Sequence, residues 1–177
     1  MIDPGTHKKG EGVEAYCRRR WGGSGWTRHL IQEGTKDGAR FGDWKWWPHT
    51  LKAHQLVQYC DQKGVASTDK VNQFLFQAEY ERGENISNID TLVEIGQSLG
   101  LEGDERKREL KDYLTDDGGK EQVMQEINTG RRRYRISGVP FFIVGTESSE
   151  RPYGFSGAQG SETFLEVFRE LAGDDEE

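Results

Sequence analysis

Cysteine is scarce in this chain. Its 177 residues include only Cys17 and Cys60, and they form no Cys-x-x-Cys pair. Two cysteines this far apart exclude a disulfide framework and a CxxC redox motif built within the chain. Cys60 continues a helical stripe formed by Ala53, Leu56 and Val57, and Cys17 lies on a similar stripe, so we interpret both thiols as buried and inert. The four histidines and two cysteines show no metal-ligand spacing, and we predict no bound metal.

Long apolar runs and an excess of positive charge are missing as well. No run approaches the ~20 residues that a membrane span needs, and the N-terminal residues lack the apolar region of a signal peptide. The formal net charge of −7 opposes attraction to nucleic acids and to anionic membranes. We therefore expect a cytoplasmic protein whose partners include neither nucleic acid nor membrane.

Bulky side chains supply a core in spite of an apolar content of only 33%. The chain has five Trp, eight Phe and six Tyr, and its length suits one domain, or one core with a lobe. Helical periodicity dominates up to Thr129. The predicted helices span about residues 11–20, 24–31, 48–63, 68–82, 88–99 and 104–129, with an interruption of the last at Gly118–Gly119. Gly34 is predicted to stop the second helix, Ser67 or Thr68 to cap the fourth and Asn88 to cap the fifth.

The C-terminal part has a different order of elements. We predict a strand over Val139–Val144, a turn over Thr146–Arg151, a second strand over Tyr153–Ser156 and an amphipathic helix over Glu162–Leu171. These patterns divide the chain into residues 1–10, a helical lobe (11–130), a β-β-α part (131–172) and an acidic tail (173–177), which we interpret as solvated.

The most informative stretch is Ile136–Val144, with the sequence Ile-Ser-Gly-Val-Pro-Phe-Phe-Ile-Val. A turn of small residues leads through Val139 and Pro140 into a β-branched and aromatic run. Proline has no N–H and is tolerated at the start or edge of a strand, and X-Pro bonds are those that adopt the cis form at low cost. Such a loop leaves the main chain of Val139 free to pair with an extended ligand, although an ordinary strand start explains the same residues.

A helical lobe followed by Gly-Val-Pro-Phe-Phe and β-β-α resembles the DsbA-like branch of the thioredoxin superfamily. Within it, the chain is most similar to the FrnE-type group, which is related to 2-hydroxychromene-2-carboxylate isomerases and kappa-class glutathione transferases. The resemblance implies an α/β, thioredoxin-like fold with a large helical insertion lobe. It is carried, in the family's order, by Ile2-Asp3-Pro4 with Gly12-Val13 and Tyr16, by Thr50–His54, by Phe74–Gly83 with Asn85-Ile86-Ser87, by Ile136–Val144 and by Ser156-Gly157-Ala158-Gln159.

Two departures from the family pattern matter. The family usually has Asn where this chain has His49, which alters a polar contact near the expected cleft. The family also begins with a strand, a helix started by its nucleophile motif (Cys-Pro-x-Cys in FrnE-type members, Ser in the isomerases) and a second strand, whereas the likeness here starts at Met1, after that segment. We therefore expect an incomplete thioredoxin-like fold with no catalytic residue in this chain, and residues 1–10 as the remnant of a linker.

The resemblance places the substrate-binding half of a redox site in this chain. In the family, the loop with the cis-proline faces the nucleophile and pairs with the main chain of a peptide or of glutathione. Gly157 and its neighbours fit equally as a turn with an N-cap, and His54 fits equally as a satisfied lobe histidine. The positions implied to bind substrate are Ser137, Gly138, Val139, Pro140, Ser156, Gly157, Gln159, His54 and His49.

The implied function is that of the protein dithiol-disulfide oxidoreductase class, without redox catalysis in this chain alone. A non-catalytic binding or scaffold module and a glutathione-binding isomerase-like or transferase-like protein are the alternatives. The expected partners are thiol or disulfide proteins or peptides, or glutathione as a ligand, and no cofactor is expected. At the position of Gly157-Ala158-Gln159, the resemblance to kappa-class proteins would imply a motif like Gly-Ser-Asp. The difference favours dithiol chemistry over glutathione conjugation.

The missing first strand would leave an apolar sheet edge and one face of the last helix uncovered. Such surfaces associate readily. We therefore expect a homodimer through the exposed sheet edge, a partner-dependent protein or a poorly stable one.

Arg131–Arg135, with the sequence Arg-Arg-Arg-Tyr-Arg, is the strongest local concentration of positive charge. Basic residues around an aromatic ring occur in nucleic-acid-binding segments. Cations also complement the dipole at the C-terminus of a helix. In an acidic chain we favour the second interpretation.

Overall fold

The structure, a computed structural model, describes residues 2–3, 5–147 and 152–173. It forms two compact units, Ile2–Met124 and a second unit that begins at Gln125. Helices dominate the described part, which also contains two small antiparallel sheets of two strands each. None of its helices combines the length and apolar character needed to cross a membrane.

The first unit is mainly helical. Its sheet pairs two short strands antiparallel, with Glu11 opposite Trp47 and Gly12 opposite Trp46. A π-helical turn, Gln77–Glu81, continues directly from the helix Thr68–Phe76. In chain order the elements are β1 (Glu11–Gly12), α1 (Val13–Trp21), α2 (Gly25–Lys36), β2 (Trp46–Trp47), α3 (Leu51–Gln62), α4 (Thr68–Phe76), α5 (Ile89–Ser98), α6 (Asp104–Thr115) and α7 (Lys120–Arg133), the last of which continues into the second unit.

Three predicted boundaries in this unit are wrong for local reasons. Glu11 and Gly12 pair with β2 and so do not belong to the first helix. Gly34 does not end the second helix; it lies inside α2, where a side chain at this position would stand 2.7 Å from the ring of Phe41. Pro48 is buried ahead of the next helix, which begins at Leu51.

Several predicted helix ends are confirmed. The Ser67 hydroxyl accepts a hydrogen bond from the N–H of Lys70 at the start of α4, and the Asn88 side chain accepts one from Asp90 at the start of α5. The predicted interruption at Gly118–Gly119 separates α6 from α7, and α7 runs four residues past Thr129, to Arg133.

The core of the first unit surrounds α3. One face of α3 is fully buried through Leu56, Tyr59 and Cys60, and it packs against α4, α5 and α6. At Gly96 of α5 a side chain would stand 2.5 Å from Leu110 of α6, so this glycine permits the close approach of the two helices. The other buried members of the core are Ala53, Val71, Leu75, Ala78, Ile86, Leu92, Val93, Ile95, Leu99, Leu101 and Leu114.

The second unit contains the predicted β-β-α order. β3 (Phe141–Val144) and β4 (Tyr153–Ser156) pair antiparallel, with Phe141 opposite Ser156, and α8 (Ser161–Gly173) follows. β3 begins two residues later than predicted because Val139 and Pro140 precede the paired residues. The predicted turn is described only as far as Glu147, and its remainder to Arg151, like the tail beyond Gly173, lies outside the described residues.

Three phenylalanines hold α8 on one face of this hairpin. The ring centroid of Phe164 lies 4.9 Å from that of Phe142 and 5.3 Å from that of Phe155, and the rings meet edge to face. The opposite face carries Phe141, whose ring lies over Gly154, and Ile143, which is 45% exposed. The hairpin therefore has one face packed on a helix and one apolar face largely open.

Glu79 is a buried carboxyl group in the π-helical turn. It is 5% exposed and has no hydrogen bond or ion pair to another described residue. Burial raises the pKa of Glu79 from its ordinary value of 4.5 to about 8. The folded chain therefore keeps this carboxyl group protonated at neutral pH.

We expect the stability of the chain to fall as the pH rises from about 4.5 to about 8. Between these values only the unfolded chain releases the Glu79 proton, so the free energy of unfolding decreases. Glu79→Gln should remove this decrease, because glutamine has no proton to release. At pH 8 the free energy of unfolding of the variant should exceed that of the parent by at most about 5 kcal/mol, since the pKa rises from 4.5 to about 8 and one pKa unit corresponds to about 1.4 kcal/mol. Urea unfolding at several pH values measures the effect. Glu105→Gln, on the exposed face of α6, is the control, and equal pH slopes for Glu79→Gln and the parent would contradict the assignment.

Candidate functional site

The loop ahead of β3 presents main-chain atoms of an extended segment. The Val139–Pro140 peptide bond is cis. Val139 is 64% exposed, Ser137 and Pro140 are also exposed, and Gly138 is half-buried. Within the described part of the chain, neither the N–H nor the C=O of Val139 has a hydrogen-bond partner. The loop therefore offers one donor and one acceptor to a ligand.

The structure brings Pro140 together with the turn that follows β4. The N–H of Gly157 donates to the carbonyl oxygen of Pro140 at 2.9 Å, next to the Phe141–Ser156 pair that begins the sheet. Two predicted parts of the site, which are distant in sequence, are thus adjacent. This contact anchors the C-terminal side of the loop while Val139 remains accessible.

The turn after β4 is closed by its own side chain. Gly157 has a φ of 88°, in the left-handed region that favours glycine. The Gln159 amide donates from Nε2 to the carbonyl oxygen of Ser156 at 2.9 Å. α8 begins at Ser161, two residues after Gln159. The Gln159 side chain therefore supports the turn, and the exposed hydroxyl of Ser156 is the group beside Pro140 that can reach a ligand.

The two predicted lobe histidines belong to the first unit, at the start of α3. The N–H of His49 donates to the hydroxyl of Ser87 at 2.7 Å, which ties the segment ahead of α3 to the segment ahead of α5. His54 is exposed on the second turn of α3, and its N–H bonds to the carbonyl oxygen of Thr50. The main chain of both residues therefore has a structural role at the start of α3.

The electrostatics of the two cysteines oppose thiolate formation. Both side chains are fully buried in the first unit. Burial raises the pKa of Cys60 to about 11, and burial is also the main cause that raises the pKa of Cys17 above its ordinary value. Disulfide exchange needs an accessible thiolate with a lowered pKa. Neither cysteine meets that requirement.

Metal-binding chemistry has no support in the described residues. They contain no group of three or more His, Cys, Asp or Glu side chains placed to hold a metal ion. Two grooves of about 510 and 710 Å³ open on the first unit, and neither is lined by a predicted site residue.

Two residues with uncommon environments escaped the sequence analysis. Glu79 follows Leu75 by four positions, so helical spacing placed it on the buried stripe of α4, and that signal was available. Arg135 has a φ of 54°, in the left-handed region, at the end of the segment that follows α7. No pattern in the sequence indicates a left-handed arginine.

A comparison with protein families identifies the chain. A model of the DSBA-like thioredoxin domain matches residues 40–169, which is well over half of the chain and covers parts of both units. The chain therefore belongs to the family of DSBA-like thioredoxin domains. No curated protein matches the chain.

Both thiols should react slowly in the native chain at neutral pH. Burial keeps them protonated and inaccessible, so we expect a thiol reagent to modify Cys17 and Cys60 at least about 100-fold more slowly than in urea. The absorbance change on reaction with an aromatic disulfide measures the rate of thiol modification. In a separate assay, insulin reduction by the native chain should not exceed the rate with dithiothreitol alone. Cys17→Ser and Cys60→Ser assign any residual reaction. Rapid modification of either thiol at pH 7, together with insulin turnover, would contradict the assignment.

Proposed function

We propose that this chain binds an extended peptide through the main chain of Val139, as the substrate-binding part of a FrnE-type protein of the dithiol-disulfide oxidoreductase class. The observation that carries the proposal is the exposed Val139 main chain, which has no partner among the described residues. It lies inside the region that matches the DSBA-like thioredoxin domain. Peptides that pair with an exposed main-chain segment gain affinity from hydrogen bonds that do not depend on their sequence.

The neighbours of Val139 support a peptide in preference to a compact ligand. Pro140 is anchored by Gly157, and β3 continues the chain in an extended conformation directly after it. The Ser156 hydroxyl is the polar group on the adjacent turn. The Gln159 amide is engaged with the Ser156 carbonyl, which weakens its use as a ligand for the carboxylate of glutathione.

The reacting thiol is supplied by another segment or chain. The two cysteines here are buried with raised pKa values, so neither serves as the nucleophile. A CxxC motif presented to the Val139 loop would complete the site, because the loop holds the substrate and the motif carries the thiolate. Without it, the chain acts as a binding module.

Exposed apolar side chains on β3 and on α8 support self-association of the second unit. Ile143 on β3 and Leu165 and Phe168 on α8 are between 41% and 51% exposed. An uncovered strand with apolar side chains is a template for pairing with a second chain. We propose that the chain forms a homodimer through β3 when no other partner covers it.

Val139→Pro should weaken peptide binding about twofold to tenfold, because it removes the N–H donor and one hydrogen bond contributes about 0.5–1.5 kcal/mol. Val139→Ala keeps the donor and should bind nearly as tightly as the parent. The measurement is fluorescence anisotropy with a labelled peptide of alternating Ser and Val flanked by Gln, with reduced glutathione as a competitor.

Equal affinity of the proline and alanine variants would contradict pairing at Val139. Tight binding of glutathione that both variants preserve would favour the isomerase-like alternative. Circular dichroism of each variant shows whether the β-β-α unit remains folded.

Ile143→Lys should shift the chain from dimer to monomer, because a charge on β3 blocks pairing between chains. Light scattering at several concentrations measures the mass. Leu30→Lys on α2 is the matched control, since Leu30 is 42% exposed in the first unit. A parent chain that is monomeric at every concentration would contradict the proposal.

A further inference from the structure

We infer that the peptide bound at the Val139 loop is acidic, and that the arginines at the end of α7 bind its carboxylates. This inference rests on the proposed function and names the substrate class of the same loop. The residues that carry it are Arg131, Arg132, Arg133 and Arg135, which we call the arginine cluster.

The arginine cluster concentrates free positive charge in an acidic chain. All four residues are exposed, and none forms an ion pair with another described residue. The guanidinium of Arg133 lies 5.4 Å from the ring centre of its neighbour Tyr134. Elsewhere, Lys52, Lys63 and Lys111 each pair with a carboxylate. The cluster therefore places four unneutralised positive charges within five residues.

The main chain brings the cluster close to the Val139 loop. After α7 the chain folds back, and the N–H donors of Tyr134 and Ile136 both bond to the carbonyl oxygen of Gly130 at 3.2 Å. Ile136 is thus held beside the last turn of α7. Val139 follows Ile136 by three positions, a span of at most about 11 Å. At low salt the Debye length, about 30 Å at 0.01 M, exceeds this span, so charges beside the segment act on a peptide at Val139, and at physiological salt, where it is about 8 Å, they are largely screened.

Arg135 adds an observation that does not depend on charge. Its φ of 54° is costly for a residue with a side chain, and glycine is the usual occupant. Asp117 is the other described non-glycine residue with positive φ, and its side chain accepts bonds from Lys52 and Lys120 that accompany this conformation. Arg135 has no such bond within the described residues. Arg135 thus occupies the reversal that leads into the loop in a conformation that is costly for arginine, and a binding role explains why a charged residue is kept there.

Two other interpretations account for less. Compensation of the helix dipole explains basic residues in the last turn of α7, but it does not explain an arginine in the left-handed position after the helix. Nucleic acid would also neutralise the cluster, but the net charge of −7 opposes a long polyanion more than a short acidic peptide.

The test compares two labelled peptides on the full chain. Both alternate Ser and Val, and one is flanked by Glu (the acidic peptide) and the other by Gln (the neutral peptide). We expect the parent to bind the acidic peptide about tenfold more tightly at low salt, with the preference falling as salt is added. Arg135→Gly should reduce acidic-peptide affinity about fivefold, the scale of one exposed ion pair, and leave neutral-peptide affinity unchanged.

Arg135→Gly also separates binding from folding, because glycine suits a positive φ. Its unfolding midpoint should equal or exceed that of the parent, so weaker binding cannot arise from a less stable fold. Arg135→Lys should retain most of the preference, and Arg108→Gln on α6 makes the same change in net charge as a control.

The outcomes distinguish this inference from the proposed function. Equal affinity for the two peptides, with sensitivity to Val139→Pro, would overturn the acidic preference and leave the proposed function standing. Binding of the acidic peptide that Val139→Pro does not change would overturn both, because the cluster would then bind acids without the loop. Failure of both peptides to bind would also overturn both. Tighter binding of single-stranded oligothymidylate than of the acidic peptide would replace the inference with a nucleic-acid surface.

Discussion

The burial of α3 is the constraint on which the first unit depends. Leu56, Tyr59 and Cys60 are enclosed by α4, α5 and α6, and each large apolar side chain buried in this way contributes about 1.5–3 kcal/mol. The fixed position of α3 in turn positions what precedes it. The His49 main chain is bonded to Ser87. Two residues before His49, the ring of Trp47 stacks on that of Tyr16 with their centroids 4.2 Å apart. These two rings belong to an aromatic layer that also contains Trp21, Trp26 and Trp44. Cys60 belongs to this packing, which is why its thiol serves the core and not a reaction.

The second unit obeys a different constraint, which is the pairing of β3 with β4 under α8. Phe142, Phe155 and Phe164 hold one face of the hairpin, and the Gly157–Pro140 hydrogen bond extends the pairing by one step beyond the sheet. Val139 comes immediately before that last bond. The exposure of the Val139 main chain is thus a consequence of where the sheet stops.

Much of the fold followed from periodicity and caps. Ser67, Asn88 and the Gly118–Gly119 break set helix ends that the sequence pattern predicts correctly, because capping is local chemistry. The errors arose where a distant residue decides the outcome. Gly34 lies within α2, where Phe41 occupies the space that a side chain would need, and Glu11 and Gly12 are strand because Trp46 and Trp47 pair with them.

The candidate site was predictable only in part. The Val139–Pro140 loop has a recognisable sequence, and the resemblance implies that Gly157 belongs to the same site. The hydrogen bond between Gly157 and Pro140 is a tertiary contact that sequence spacing does not predict. The engagement of Gln159 with Ser156 likewise depends on the turn's geometry. Arg135 in a left-handed conformation is a backbone property that composition does not encode, whereas the burial of Glu79 was implied by its distance from Leu75.

The aromatic layer of the first unit has a practical consequence for spectroscopy. All five tryptophans lie between Trp21 and Trp47, and four of them form a connected set of ring contacts with Tyr16. Intrinsic tryptophan emission therefore reports on the N-terminal part of the first unit alone. The β-β-α unit contains phenylalanine and tyrosine but no tryptophan. Its unfolding is therefore not detected when tryptophan is excited selectively, and a fluorescence melting curve reports the unfolding of the first unit.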